Sequence, residues 1–207
     1  FGNFDDSFMH KTHNKYNRDC WIFFGLDRYK KAPCGGEFSY YTDDDQKHCL
    51  DKEGMHGRLF ENEVKRYHMT YINGNDQPYY QSMDRIKEAS MAMGYSYEIL
   101  DYRVNGDEAA VLIKNIGVAP IYRDAYVAVG GVKGEYSLAG LMPGWRQWIV
   151  IKGAGVSADA KPEIVFETPV SAVIEGNDGM GQLISHKAMN IAIKKAKTTG
   201  MAVVTVR

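Results

Sequence analysis

The sequence predicts a mixed α+β chain in three successive segments: a partial (β/α) barrel segment over residues 1–94, an antiparallel β-sandwich segment over 95–151 and a short strand-helix-strand unit over 152–207. Three observations carry this. Polar groups beside aromatics recur at Asp5-Asp6, Glu37-Phe38 and His68 to Asn73, with 32 residues from Asp5 to Glu37 and 34 from Glu37 to Tyr71. That spacing is close to the roughly 30 residues of one strand, crossover and return strand. After Gly94 the pattern changes to short β segments between turn signals, and the last quarter changes again, to two apolar runs flanking a helical stripe. The recurrence in the first segment places polar groups at one end of neighbouring parallel strands, where α/β barrels and open α/β sheets carry their chemistry.

In chain order, the run Trp21-Ile-Phe-Phe-Gly25 reads as a buried helix turn or strand, and Pro33 to Gly36 resets the chain before Glu37. Asp43 to Asp45 reads as a solvated loop. Between Tyr80 and Met93, apolar residues at Met83, Ile86, Ala89 and Met93 trace an amphipathic helix that Gly94 stops. Strands are then predicted at 95–104, 109–114, 126–132 and 145–151, divided by Asn105-Gly106-Asp107, Gly117 to Pro120 and Pro143-Gly144. Trp145 and Trp148 lie at i and i+3 of the last of these, on opposite faces, so at least one is expected in the core. Val170 to Ile174 reads as a strand. Gly176, Gly179 and Gly181 read as a loop, Leu183, Ile184, Ala188, Ile191 and Ala192 as a helical stripe capped by Gly200, and Met201 to Val206 as a closing strand. Lys194, Lys195 and Lys197 suit the negative end of that helix dipole.

Composition narrows the function. The 25 Lys and Arg against 26 Asp and Glu leave a formal charge of -1, so no field for nucleic acid or an anionic membrane is implied. Hydrophobic residues at 44% support a globular core, and aromatics at 12% supply rings to line a groove. No apolar run of about 18 residues predicts a membrane span, and the polar start is no signal peptide, which leaves the cellular address open. The absence of an initial Met leads us to expect that the chain begins inside a longer polypeptide. Cys20, Cys34 and Cys49 are odd in number and outside any C-x-x-C spacing, so buried or free thiols are expected. His10 and His13 precede Cys20 and His48 adjoins Cys49, but these spacings match no recurrent ligand pattern, and no metal site is expected.

Two resemblances add to this. Phe4-Asp5-Asp6-Ser7-Phe8, Gly35-Gly36-Glu37, His68-Met69-Thr70-Tyr71, Met93-Gly94-Tyr95 and Lys114 to Pro120 occur in an order and spacing that resembles a bacterial domain-of-unknown-function family, a glycosidase-like barrel followed by a β-sandwich. For residues 1–150 the resemblance implies carbohydrate hydrolysis or binding, with no cofactor. From about residue 151, Glu167-Thr168-Pro169, Val173 to Gln182, His186 to Met189 and Lys195 to Arg207 resemble the malate/L-lactate dehydrogenase family, distinct from the Rossmann-type lactate enzymes. That resemblance implies NAD as cofactor and a small 2-hydroxy acid as substrate. The family's catalytic histidine motif falls just beyond Arg207 and its His-Gly-x-x-Arg segment is replaced here, so no catalytic residue is carried over. Gly176, Gly179 and Gly181 follow G-x-x-G-x-G rather than G-x-G-x-x-G and read as a structural turn.

The chain therefore reads as a join of two incomplete architectures, expected to be inactive in isolation, since a full barrel needs about 250 residues. Exposed strand edges should follow. The partners expected are a glycan or a 2-hydroxy acid, with a homo-oligomer open. A non-catalytic β-sandwich binding module is the further alternative. For glycan chemistry, Glu37 is the candidate acid, its pKa raised by Phe38, Tyr40 and Tyr41, with Asp6 or Asp5 as the second carboxylate about 5–9 Å away. The rival reading has Asp5 and Asp6 capping the next helix and Glu37 in a buried polar pair. His68, Tyr71 and Asn73 are candidates to bind sugar hydroxyls, and Trp21 and Tyr40 to stack on a pyranose. Equally, His68 and Tyr71 read as satisfied core groups, and His186 as a surface histidine.

Overall fold

A computed structural model describes residues 1–10, 15–74 and 76–166, together with the backbone of 202–204. The described residues divide into two compact units, one of Phe1–Tyr95 with Gly117–Pro120, the other of Ser96–Ile116 with residues 121–166 and 202–204.

In the first unit, β1 (Phe4–Phe8), β2 (Cys34–Phe38) and β3 (Met69–Asn73) form a parallel sheet in the order β1-β2-β3. Its register pairs Asp5 with Gly36, Gly35 with Tyr71 and Glu37 with Asn73. Helices fill the crossovers: α1 (Tyr16–Phe24), α2 (Asp43–His48), α3 (Phe60–Arg66), then α4 (Gln77–Tyr80) and α5 (Met83–Met91) after β3. Phe8, Phe38, Phe60, Val64, Ile72 and Ile86 belong to one apolar cluster, where Phe8 meets Phe60 edge to face at 6.0 Å between ring centroids. Gly35 lets the Tyr71 ring lie against the sheet, because a Cβ there would stand 2.2 Å from that ring and have to displace it.

Three parallel strands do not close, and no closed barrel exists among the described residues. The expected partial barrel segment is thus an open three-stranded sheet here, since a (β/α) barrel closes its edges with eight tilted strands. The helix expected over 80–93 is divided, since Gln81 and Ser82 are extended and the Ser82 side chain accepts from Arg85 N to start α5. The Trp21–Gly25 run is helical but mostly not buried. Only Trp21 of α1 is inside, while Ile22, Phe23 and Phe24 face solvent.

The second unit holds β4 (Tyr97–Asn105), β5 (Glu108–Asn115), β6 (Ala125–Val129), β7 (Val132–Ser137), β8 (Arg146–Lys152), β9 (Glu163–Phe166) and β10 (Ala202–Val204). They make two small antiparallel sheets, β4-β5-β8 and β10-β9-β6-β7. Gly106, at φ 62, makes the turn between β4 and β5 in the left-handed region that favours glycine. Strict alternation along β5 sends Ala109, Val111 and Ile113 inward, where they share one cluster with Val127, Ile149, Ile151 and Ile164. Because Ile149 and Ile151 take the inward positions of β8, Trp148 points outward and Arg103 lies 5.1 Å over its ring. Trp145 is 63% and Trp148 40% exposed, so neither is the core residue expected.

The predicted strand at Val170, the glycine loop, the helical stripe and His186 lie outside the described residues. The closing strand is represented by β10, with Val203 opposite Val165 of β9. No described helix is long and apolar enough to cross a membrane.

Candidate functional site at the end of the parallel sheet

A polar cluster stands at the carboxyl ends of β1 and β2. His10 lies just beyond β1 and Ser39 just beyond β2, while Asp45 comes from the first turn of α2 and His56 from the loop before α3. Thr42 caps α2: its hydroxyl accepts from Asp45 N at 3.2 Å, and the Asp45 carboxylate returns the bond to Thr42 N at 3.2 Å. This capping box fixes the carboxylate in place. Ser39 Oγ donates to Asp45 Oδ2 at 3.0 Å, His10 Nδ1 lies 2.7 Å from the same oxygen, and His56 Nε2 lies 3.3 Å from Oδ1. Below them Gln46 Nε2 donates to the Phe38 and Ser39 carbonyls and is buried.

The Asp45 side chain is only 2% exposed, against 15% for His10 and 26% for His56. Burial by itself would raise the Asp45 pKa. Hydrogen bonds from His56, Ser39 and His10 outweigh it and hold the carboxyl below the usual carboxylate range. The group is therefore ionised at neutral pH, and it fixes the ring orientation of His10, whose other face stacks on Tyr41 at 4.7 Å. Donation of Nδ1–H to Asp45 would leave His10 Nε2 as the acceptor, the arrangement of a general base oriented by a carboxylate. Among the described residues, His10, Asp45 and His56 also bring three ligand-type atoms within 4.8 Å of one another.

The residues singled out from the sequence fall elsewhere. Asp5 and Glu37 lie on opposite faces of the sheet, because Asp5 pairs with Gly36 and the next residue, Glu37, points the other way. Asp5 is fully buried and accepts from Ser7 N and Asn17 Nδ2, while exposed Asp6 accepts from Asn17 Nδ2 at 3.2 Å. Neither caps a helix, since both are in β1. Half-buried Glu37 shares its face with exposed Asn73 and Tyr71. Tyr40 is exposed, and partial burial with the carboxylates of Asp76 and Glu37 pushes its phenol up. Burial likewise raises Tyr71.

His68 precedes β3, at the opposite edge of the sheet from Asn73. It stacks on Tyr29 at 3.5 Å and its Nδ1 bonds the Val118 carbonyl at 2.6 Å. Burial lowers its pKa, the Val118 bond opposing this in part. It is a satisfied packing residue. Trp21 is 4% exposed, donates to the Phe4 carbonyl at 3.3 Å and meets Tyr67 edge to face, so it offers no stacking surface to a sugar.

Sequence reasoning missed the cluster because its members lie 35 and 11 residues from Asp45 and fit no local ligand spacing. The available signal was Thr42 three residues before Asp45, which marks a helix start rather than the solvated loop expected over Asp43–Asp45.

Comparison with known proteins falls on the other unit. The malate/L-lactate dehydrogenase family matches residues 145–207. A malate dehydrogenase of Pyrococcus horikoshii is 41% identical over 58 residues, 28% of this chain and 16% of the relative. An L-sulfolactate dehydrogenase of Methanocaldococcus jannaschii is 53% identical over 49 residues, 23% of this chain and 14% of the relative. A malate/(S)-sulfolactate dehydrogenase of Methanothermus fervidus is 41% identical over 54 residues, 26% of this chain and 16% of the relative. The chain thus spans about one sixth of the length of these relatives. No solved structure matches it. These comparisons give no support to the glycosidase-like resemblance of residues 1–150, so the dehydrogenase fragment is the better-founded part of the reading.

Proposed function

We propose that residues 145–207 serve a 2-hydroxyacid dehydrogenase that uses a nicotinamide cofactor, as a segment of an oxidoreductase whose remaining parts this chain does not span. The observation that carries this is the family match over those residues, reinforced by relatives named for malate and sulfolactate. The described part of the match is structural in character. Ile149, Ile151, Ile164 and Val165 fill the apolar core, and Arg146, Gln147 and Trp148 border only an open hollow with Leu112. No step of hydride transfer is assigned to these side chains. Titration of the full chain with NADH tests the reading: saturable enhancement of cofactor fluorescence is expected, and no binding at millimolar NADH removes it.

A second reading rests on the register of the parallel sheet. Glu37, Asn73 and Tyr71 share one accessible face, with Tyr40 beyond the end of β2 and Asp6 exposed on β1. This face suits a glycan, with Glu37 as acid and Asp6 as its partner. Glu37→Gln should abolish any glycan hydrolysis by the chain, and a variant as active as the parent on every glycan cleaved would end that assignment.

A further inference from the structure

We propose that His10, Asp45 and His56 form a binding site for a divalent first-row transition metal such as zinc. Two imidazole nitrogens and one carboxylate oxygen are a donor set for such ions, and three protein ligands leave coordination positions for water or substrate. The ligand atoms already lie within 4.8 Å of one another. A tetrahedral ion about 2.1 Å from each would set them about 3.4 Å apart, which is close to the 3.3 Å between His56 Nε2 and Asp45 Oδ1. A pair at the 4.8 Å limit closes by about 1.4 Å, and the 2.7 Å contact of His10 with Oδ2 opens. Rotation of two partly exposed rings supplies that movement.

The surroundings are those of a prepared ligand. Asp45 is anchored by Ser39 Oγ and Thr42 N, both on Oδ2, so its Oδ1 answers to His56 and to the ion. The Tyr41 ring stacked on His10 holds that imidazole in orientation. Such outer contacts are what orient metal ligands. The backbone gives an independent sign. Met9 and His56 have φ of 72° and 50°, left-handed values that non-glycine residues rarely take, and they are two of the three such residues described. Strain of about 1 kcal/mol or more at each is retained next to the same cluster. The site also stands at the carboxyl edge of a parallel sheet, where open α/β folds bind ligands.

In the tautomers that donate to Asp45, the ring nitrogens facing the carboxylate carry the proton. On binding, the ion takes that position and the proton moves to the other ring nitrogen or to solvent. No redox partner is required.

The test is calorimetric titration of the chelator-treated full chain with zinc chloride, repeated with cobalt(II), whose visible absorption reports tetrahedral ligation. One ion per chain is expected. His10→Ala and His56→Ala should each weaken binding at least about tenfold, while His48→Ala, which removes an exposed histidine paired with Asp51 outside the cluster, should leave it unchanged. Circular dichroism verifies folding of each variant, and His56→Gln serves if His10→Ala does not fold. Absence of stoichiometric binding, equal binding by the His56 variants and the parent, or loss of binding on His48→Ala overturns the proposal.

Discussion

Nine of the ten buried polar or charged side chains described belong to the parallel-sheet unit; the tenth, Asn115, is in the antiparallel unit. Polar contacts are buried beside the apolar cluster in the first unit. Arg85, for example, donates to the Leu50 carbonyl and to Glu61 at 2.6 Å each, and Gln77 donates to the Gln46 carbonyl at 2.7 Å. The second unit is held by alternating aliphatic side chains and by ladder hydrogen bonds. The family match reaches into this second unit, yet β8 inside the match pairs along its length with β5 outside it. Polar groups that cost free energy to bury persist where geometry satisfies them. Their concentration in the first unit shows that its described interior is set by specific polar geometry, whereas that of the second is set by aliphatic packing.

The sharpest attempt to break this contrast is a cavity in the aliphatic core. Ile149→Ala should destabilise the protein by about 3–4 kcal/mol in urea unfolding, since Ile149 is 2% exposed and neighbours can refill only part of the space. A loss below about 1 kcal/mol would mean that the second unit does not depend on this packing.

Asp45→Ala should cost about 3 kcal/mol by the opposite route, leaving four donors without their carboxylate. The same group gives a pH dependence. Its folded pKa is depressed, so the stability it supplies is complete above about pH 4 and is lost as pH falls through the lower, folded value. Urea midpoints measured across this range should fall less steeply in Asp45→Asn than in the parent.

A smaller effect is expected from Gly35→Ala. The added methyl group must displace the Tyr71 ring and should cost about 1–3 kcal/mol, and the double variant with Tyr71→Ala should recover part of the loss. Smallest in energy is a labelling experiment. Burial pushes the Cys34 and Cys49 thiols up, while Cys20 is half-buried. Under native conditions at neutral pH a thiol reagent should therefore modify Cys20 alone; rapid reaction of all three would contradict the packing of the first unit.

The recurrence of Asp5, Glu37 and Tyr71 was legible as strand, crossover and strand because secondary structure spends a nearly fixed number of residues per unit. The alternation in β5 and the turn at Gly106 were legible for the same reason, being local in sequence. What could not be read was the face each polar residue takes. A one-residue offset in register separated Asp5 from Glu37, and a position at the amino rather than the carboxyl end of β3 made His68 a packing residue. The expectation that Trp145 or Trp148 lies in the core failed because Ile149 and Ile151 take the inward positions of β8.

Residue pattern alone settled the three strands of the first unit, their parallel pairing through long crossovers and the likeness of the final quarter to the dehydrogenase family. It did not settle every element: 43–45 is helical, and the strand expected over 126–132 turns at Gly130-Gly131. The meeting of His10, Asp45 and His56 was decided only by tertiary structure. Their proximity depends on where two strands end, on how the Thr42 cap directs α2 and on the left-handed backbone at Met9 and His56, and such long-range convergence leaves no period in a linear pattern.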